Sequence, residues 1–187
     1  MVKKVTIWFY LTPFFSSSDY LHLSDISRIF RKNHSSMRQY LNYFEKQGLL
    51  TKKIQGRLTM YKLNASHPLI IDYLALAEKE KLIEKCKTDL IINEIVGLLH
   101  EHLKENNKAL IFGSSVIDSR KAGDIDILIT GNIPINKEIK LFEKKFNIKL
   151  HLVNVNSLNL INDALKKEIK VKHLLVQGTE EIIKWLI

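Results

Sequence analysis

One cysteine, Cys86, in 187 residues leaves no disulfide framework and no cysteine-based zinc site available to this chain. Long apolar runs are missing as well. No stretch approaches the roughly eighteen apolar residues of a bilayer-spanning helix, so no membrane partner is expected. Residues 3–11 open with Lys3 and Lys4 and continue apolar, but Thr6, Thr12 and Pro13 interrupt the run. No Ala-x-Ala-like cleavage site follows, which argues against a secretory signal and for a cytoplasmic protein. Acidic residues are scarcest at the start of the chain. Residues 1–67 hold eleven Lys plus Arg against three Asp plus Glu, a net of +8. Residues 68–187 hold eighteen against seventeen, a net of +1, and the two account for the overall +9. Such asymmetry is expected when one module binds a polyanion and the other does not, and it favours two small domains over a single large one.

The basic third reads as short helices followed by a hairpin. Residues 2–11 form an apolar segment whose aromatic and β-branched content fits helix or strand. After a polar loop at residues 16–19, residues 23–30 start with Ser24 as a capping residue and set Ile26, Ile29 and Phe30 on one helical face. Asn33-His34-Ser35 makes a turn. Residues 35–47 form the next helix, with Met37, Tyr40, Leu41 and Phe44 inward and Gly48 as its stop. Its other face carries Ser36, Arg38, Gln39 and Asn42. Arginine can pair with guanine, and glutamine or asparagine with adenine, in the major groove. Beyond Gly48 two strands flank Gln55-Gly56-Arg57, a hairpin with Lys52, Lys53 and Arg57 near its tip. The order helix, turn, helix, glycine, basic hairpin resembles the winged-helix domains of prokaryotic transcription regulators over residues 2–64. The resemblance implies DNA as a partner and, by analogy, a homodimer. A module that makes protein contacts is the alternative.

Ala65-Ser66-His67-Pro68 breaks the last strand, with His67 as a turn or capping residue. A helical connector follows, carrying Leu69, Tyr73, Leu76 and Leu82. Residues 90–106 form a second helix, with Ile91, Ile95, Leu98, Leu99 and Leu103 repeating and His100 and His102 on its solvated side. Two apolar strands come next. The first, Ala109-Leu110-Ile111-Phe112, ends in Gly113-Ser114. The second is Asp124-Ile125-Asp126-Ile127-Leu128-Ile129. Because a strand alternates its faces, Asp124 and Asp126 project two carboxylates from one side. Like charges side by side in a mostly buried strand are unfavourable unless a cation or a shared proton offsets them. Mg²⁺ takes one or two carboxylates and leaves its other positions to water and phosphate. A glycine at a strand end lets backbone N–H groups approach an anion, and a serine hydroxyl adds a donor.

This Gly-Ser and Asp-x-Asp arrangement resembles the signature of the DNA polymerase beta-like nucleotidyltransferases, especially their small prokaryotic members. The likeness covers residues 82–187, and the run from Glu168 to Glu180 is similar to the tail of archaeal members. It implies a nucleoside triphosphate substrate, with Asp124 and Asp126 as catalytic ligands of Mg²⁺ (or Mn²⁺) and Gly113 and Ser114 positioning phosphate. Ser115, Arg120 and Lys121 lie in the following loop, where cations can neutralise a triphosphate tail. Fully active members place a third carboxylate on the next strand, residues 148–155, and the aligned position here holds His151. A neutral imidazole can act as a general base but binds Mg²⁺ poorly. Either catalysis runs with His151 in place of an acid, or the site binds a nucleotide and turns it over slowly or not at all.

The expected fold class is mixed α+β. A winged helix-turn-helix occupies residues 1–66, a helical connector residues 67–84, and a polymerase beta-like nucleotidyltransferase domain with a small mixed β-sheet residues 85–187. Three functions are consistent with this layout. The first is a DNA-associated transferase of nucleoside monophosphate to a hydroxyl. The second is a transcription regulator whose transferase domain has decayed into a sensor or scaffold. The third is an antitoxin-like transferase that modifies a toxin partner.

Overall fold

The computed structural model describes residues 6–131 and 133–187, so the expectation for residues 2–5 falls outside the described part. The protein is mixed α+β with two small sheets, and it divides between Ala77 and Glu78 into two compact units. The helix α4 (Ile70–Thr88) runs unbroken through that division. No helix of the described residues is long and apolar enough to cross a membrane.

In the first unit a 3-10 turn (Ile7–Leu11) leads into α1 (Thr12–Ser16), the short strand β1 (Leu21–His22) and α2 (Leu23–Ile29). Ser24 lies inside the first turn of α2, and no side chain caps that helix. Of the face expected on α2, Ile26 is buried while Ile29, the last residue of the helix, is exposed. The helix α3 (His34–Lys46) is better bounded than its neighbour. The Asn33 side chain accepts from Ser36 N–H at 2.8 Å, so the helix begins one residue earlier than the sequence suggests. At its other end Gly48, at φ +74°, donates to the Glu45 carbonyl, and Leu49 N–H returns to the Phe44 carbonyl, both at 2.9 Å. That pair of bonds satisfies carbonyls the helix would otherwise leave open. Met37, Leu41 and Phe44 are fully buried, and Tyr40 stacks on Tyr10.

The strands β2 (Leu50–Gln55) and β3 (Leu58–Leu63) form the hairpin, and β1 completes an antiparallel sheet in the order β1-β3-β2. A pair of polar contacts joins the sheet to α3. Asn42 Oδ1 accepts from Tyr61 hydroxyl at 3.1 Å and from Lys52 Nζ at 3.3 Å. His67 acts as a turn residue, its Nδ1 accepting from Leu69 N–H. Along the first half of α4 the buried stripe is Ile70, Leu74 and Ala77, whereas Leu69 and Leu76 face solvent. Alanine side chains, too weak a signal to read from periodicity, hold part of that stripe.

The second unit continues with α5 (Leu90–His102), capped by the Asp89 side chain and a turn shorter than its apolar pattern implies. Then follow β4 (Ala109–Phe112), β5 (Asp124–Thr130), α6 (Asn136–Phe146), β6 (Lys149–Val155), α7 (Asp163–Val171), β7 (His173–Gln177) and α8 (Thr179–Leu186). The four strands pair in the order β6-β5-β4-β7, with β5 and β6 parallel and the other pairs antiparallel. Ile111, Ile127 and Leu174 lie in register on one face and join Ile91, Ile92, Ile95 and Leu99 in the core. The segment after residue 171 leaves the helix for β7 because His173, Leu174, Leu175 and Val176 are all buried within the sheet. Trp185 is half-buried, with Lys166 Nζ 5.4 Å from its ring centroid.

Candidate active site

Strand register assembles one cluster on the second unit. Parallel pairing sets His151 opposite Asp126 and Lys149 opposite Asp124, while antiparallel pairing sets Phe112 opposite Asp126. Paired residues share a face, so His151, Asp126, Phe112 and, through β7, His173 form one row across the sheet. His151 Nδ1 lies 3.4 Å from Asp124 Oδ2 and 3.5 Å from Asp126 Oδ1. One ligand atom from each of the three residues falls within 4.8 Å of the others. All three are open to solvent, His151 most, at 60% side-chain exposure. Burial, reinforced by the charge of Asp124 and more weakly by Glu168 on α7, pushes the Asp126 carboxyl up; His151 opposes that rise. Two carboxylates and an imidazole converging in this way are a donor set able to hold a divalent cation.

Gly113 follows β4 at φ +79°, a conformation that disfavours any side chain, and a Cβ there would lie 2.8 Å from Asp126 Oδ2. Glycine is therefore favoured by the backbone, and a larger residue would displace the neighbouring carboxylate. Ser114 begins a 3-10 turn and is exposed. Ser115 is buried, and its hydroxyl donates to the Phe112 carbonyl at 3.2 Å, which bolts the turn to the end of the strand.

The loop onward is held from beneath. The buried Ser119 hydroxyl donates to Asp89 Oδ1 at 2.6 Å, and Lys85 Nζ donates to the Ile117 carbonyl at 2.9 Å while bridging to Asp89 at 3.0 Å. Burial works to raise the Asp89 carboxyl, but the hydrogen bonds from Ser119, Lys85 and Ile92 N–H, with the Lys85 charge, bring it down. Arg120 and Lys121 are exposed on this loop, where Asp118 engages Arg120 N–H at 3.2 Å and Lys121 Nζ at 3.5 Å.

Two features beside the cluster carry no single-sequence signal. One is Glu168 on α7, whose charge acts weakly on Asp126. The other is a buried ion network behind Phe112: Glu78 Oε2 lies 3.0 Å from Lys81 Nζ and 3.2 Å from His173 Nε2, with Glu78 and His173 both fully buried. His173 Nδ1 is also 2.8 Å from the Ile169 carbonyl of α7.

On the first unit the basic residues fall on α3 and the hairpin. Arg38 and Gln39 are exposed on α3, whereas the Ser36 N–H is taken by Asn33 and the Asn42 carbonyl oxygen by the hairpin. Lys53 and Lys62 each lie about 6 Å from the Tyr20 ring centroid, consistent with weak cation–π contact. Arg57 is exposed in the two-residue turn beside Gly56. The exposed surface of the hairpin is thus cationic along β2 and at its tip.

Comparisons of the chain with models of protein families, with curated proteins and with solved structures returned no match.

Proposed function

We propose that the chain is a DNA-associated nucleotidyltransferase of the polymerase beta-like class, fused to a winged helix-turn-helix. The observation that carries this reading is the convergence of Asp124, Asp126 and His151 beside a glycine whose backbone disfavours a side chain and whose Cβ position faces Asp126 Oδ2. Asp124 and Asp126 would hold Mg²⁺ or Mn²⁺ with the triphosphate, which leaves the His151 imidazole free of the ion. When bound, the ion supplies charge neutralisation at the phosphates. Gly113 and Ser114 present backbone N–H groups and a hydroxyl to phosphate oxygens. His151 accepts the proton of the acceptor hydroxyl. The acceptor oxygen bonds to the α-phosphorus, the bond from that phosphorus to the bridging oxygen breaks, and pyrophosphate leaves.

The substitution of imidazole for a third carboxylate also favours a second reading, a transcription regulator whose transferase site binds nucleotide without turning it over. Incubation with ATP, GTP, CTP and UTP labelled at the α-phosphate, with Mg²⁺ or Mn²⁺, separates the two. The transferase reading expects label transfer and pyrophosphate release, both abolished by Asp124→Asn with Asp126→Asn. Identical behaviour of wild type and double variant removes the catalytic reading. For the basic unit, duplex binding by fluorescence anisotropy should weaken steeply with salt. Arg57→Ala should lower the log–log salt slope by about 0.9 if it contacts one phosphate. Salt-insensitive binding would point to a protein-contact module instead.

A further inference from the structure

The order of the strands bears on the side from which an acceptor reaches the acidic cluster. With the sheet running β6-β5-β4-β7, Asp124 and Asp126 on β5 lie between Gly113 at the end of β4 and His151 on β6. Displacement at phosphorus sets the attacking and leaving oxygens roughly in line, on opposite sides. On the transferase reading the triphosphate tail lies at Gly113 and Ser114, so the acceptor hydroxyl comes in over β6. That strand is the edge of the sheet, and an acceptor meets the side chains it presents on the cluster's face.

Lys149 is one of them. It stands two residues before His151, so the two share a face about 6.5 Å apart along the strand. Parallel pairing sets Lys149 opposite Asp124, yet they form no ion pair, and Asp124 Oδ2 turns instead to His151 Nδ1 at 3.4 Å. Among the described residues no carboxylate pairs with Lys149, and its side chain is exposed. A cleft of about 420 Å³ opens at the start of both strands, lined by Gly123, Glu143, Asn147, Ile148 and Lys149. The acid in that lining is already engaged, because Glu143 Oε1 accepts from Leu150 N–H at 3.0 Å. Lys149 therefore brings an uncommitted cation to a cleft that begins at Gly123, the residue before Asp124. An ammonium is a compact charge with three donors, well suited to a phosphate.

Resting on that reading, we propose that Lys149 selects the acceptor, whose reacting hydroxyl belongs to a molecule carrying a phosphate group, and that Lys149 Nζ holds this phosphate at the cleft. The hydroxyl gives its proton to His151, its oxygen bonds to the α-phosphorus, and pyrophosphate leaves. A nucleic-acid chain end and a small phosphorylated alcohol share this chemistry.

Calorimetry of the full chain tests the assignment, with Mn²⁺ and, in turn, the α,β-methylene analogues of ATP, GTP, CTP and UTP, which cannot release pyrophosphate. The acceptor probes are a thymidine dinucleotide joined by a phosphodiester and glycerol 3-phosphate, each set against its phosphate-free counterpart, thymidine or glycerol. The phosphate-bearing probes should bind about tenfold tighter or more. Lys149→Ala should remove that preference, and Lys149→Arg, which keeps the charge, should retain most of it. Tighter binding of the dinucleotide assigns a chain end, and tighter binding of glycerol 3-phosphate a small alcohol. Absence of the preference, or its survival in Lys149→Ala, overturns the proposal, while nucleotide uptake in the same titrations leaves the transferase reading standing. Phosphate binding that depends on Lys149 without uptake of any analogue overturns the acceptor role together with that reading.

Discussion

Replacing Glu78 with glutamine removes a charge that sits fully buried between Lys81 and His173. Burial alone would raise this carboxyl, but Lys81 and His173 outweigh it and hold the group at about 2 rather than its ordinary 4.5. A carboxyl held lower in the folded than in the unfolded chain contributes stability at pH values above the unfolded value. That contribution is lost as pH falls from about 4.5 toward 2. At about 1.4 kcal/mol per tenfold change in acidity, the whole contribution is about 3 kcal/mol, and about 2 kcal/mol of it should be gone by pH 3. Losing one partner of a buried ion network predicts a similar figure, about 3–5 kcal/mol. Urea unfolding at pH 6 and pH 3 measures both, followed through Trp185 in a Trp8→Phe background so that only the second unit reports. Other carboxylates titrate alike in the two proteins, so the difference between their pH dependences isolates Glu78. Glu78→Gln should be less stable by about 3 kcal/mol at pH 6, with most of that gap closed by pH 3. Parallel pH dependences for the two proteins would refute the reasoning.

Other perturbations address the acidic cluster. Gly113→Ala forces a side chain into a left-handed backbone and against Asp126 Oδ2; it should destabilise the fold by about 1–2 kcal/mol and weaken Mn²⁺ uptake in calorimetry, and unchanged Mn²⁺ affinity would count against that placement. Asp126 has a carboxyl raised in the folded chain, so its ionisation costs stability as pH rises from its unfolded value through the folded one. Without metal, Asp126→Asn should therefore melt slightly higher than wild type at pH 7, by about 0.5 kcal/mol, the scale of one half-exposed charge contact. Added Mn²⁺ should raise the melting temperature of wild type and leave Asp126→Asn where it was.

How much of this could be read in the sequence depended on how local each signal was. The strand pair around Gly113 and the Asp124, Asp126 alternation were readable because period-two patterning needs only neighbours. His151 could be set beside them because the third strand follows after a single short helix, and parallel pairing then places it opposite Asp126. Ser24 looked like a cap for want of a better residue, whereas the actual cap of the next helix, Asn33, is identified by a bond to Ser36. The inward stripe of α4 was misread because alanine contributes little to a hydrophobic pattern. Glu78 and His173 lie 95 positions apart, and the weak charge effect of Glu168 comes from a separate helix, so neither leaves a local pattern.

The row of residues running His151, Asp126, Phe112, His173 places one imidazole in water and another in the dry interior of the same sheet. Phe112, only 4% exposed, stands between them as an apolar bulkhead. At the wet end the side chains meet solvent, while Glu78 and His173 at the other are fully buried. The two imidazoles of one row thus serve different ends, one at a rim open to ligands and one in the packing of the sheet.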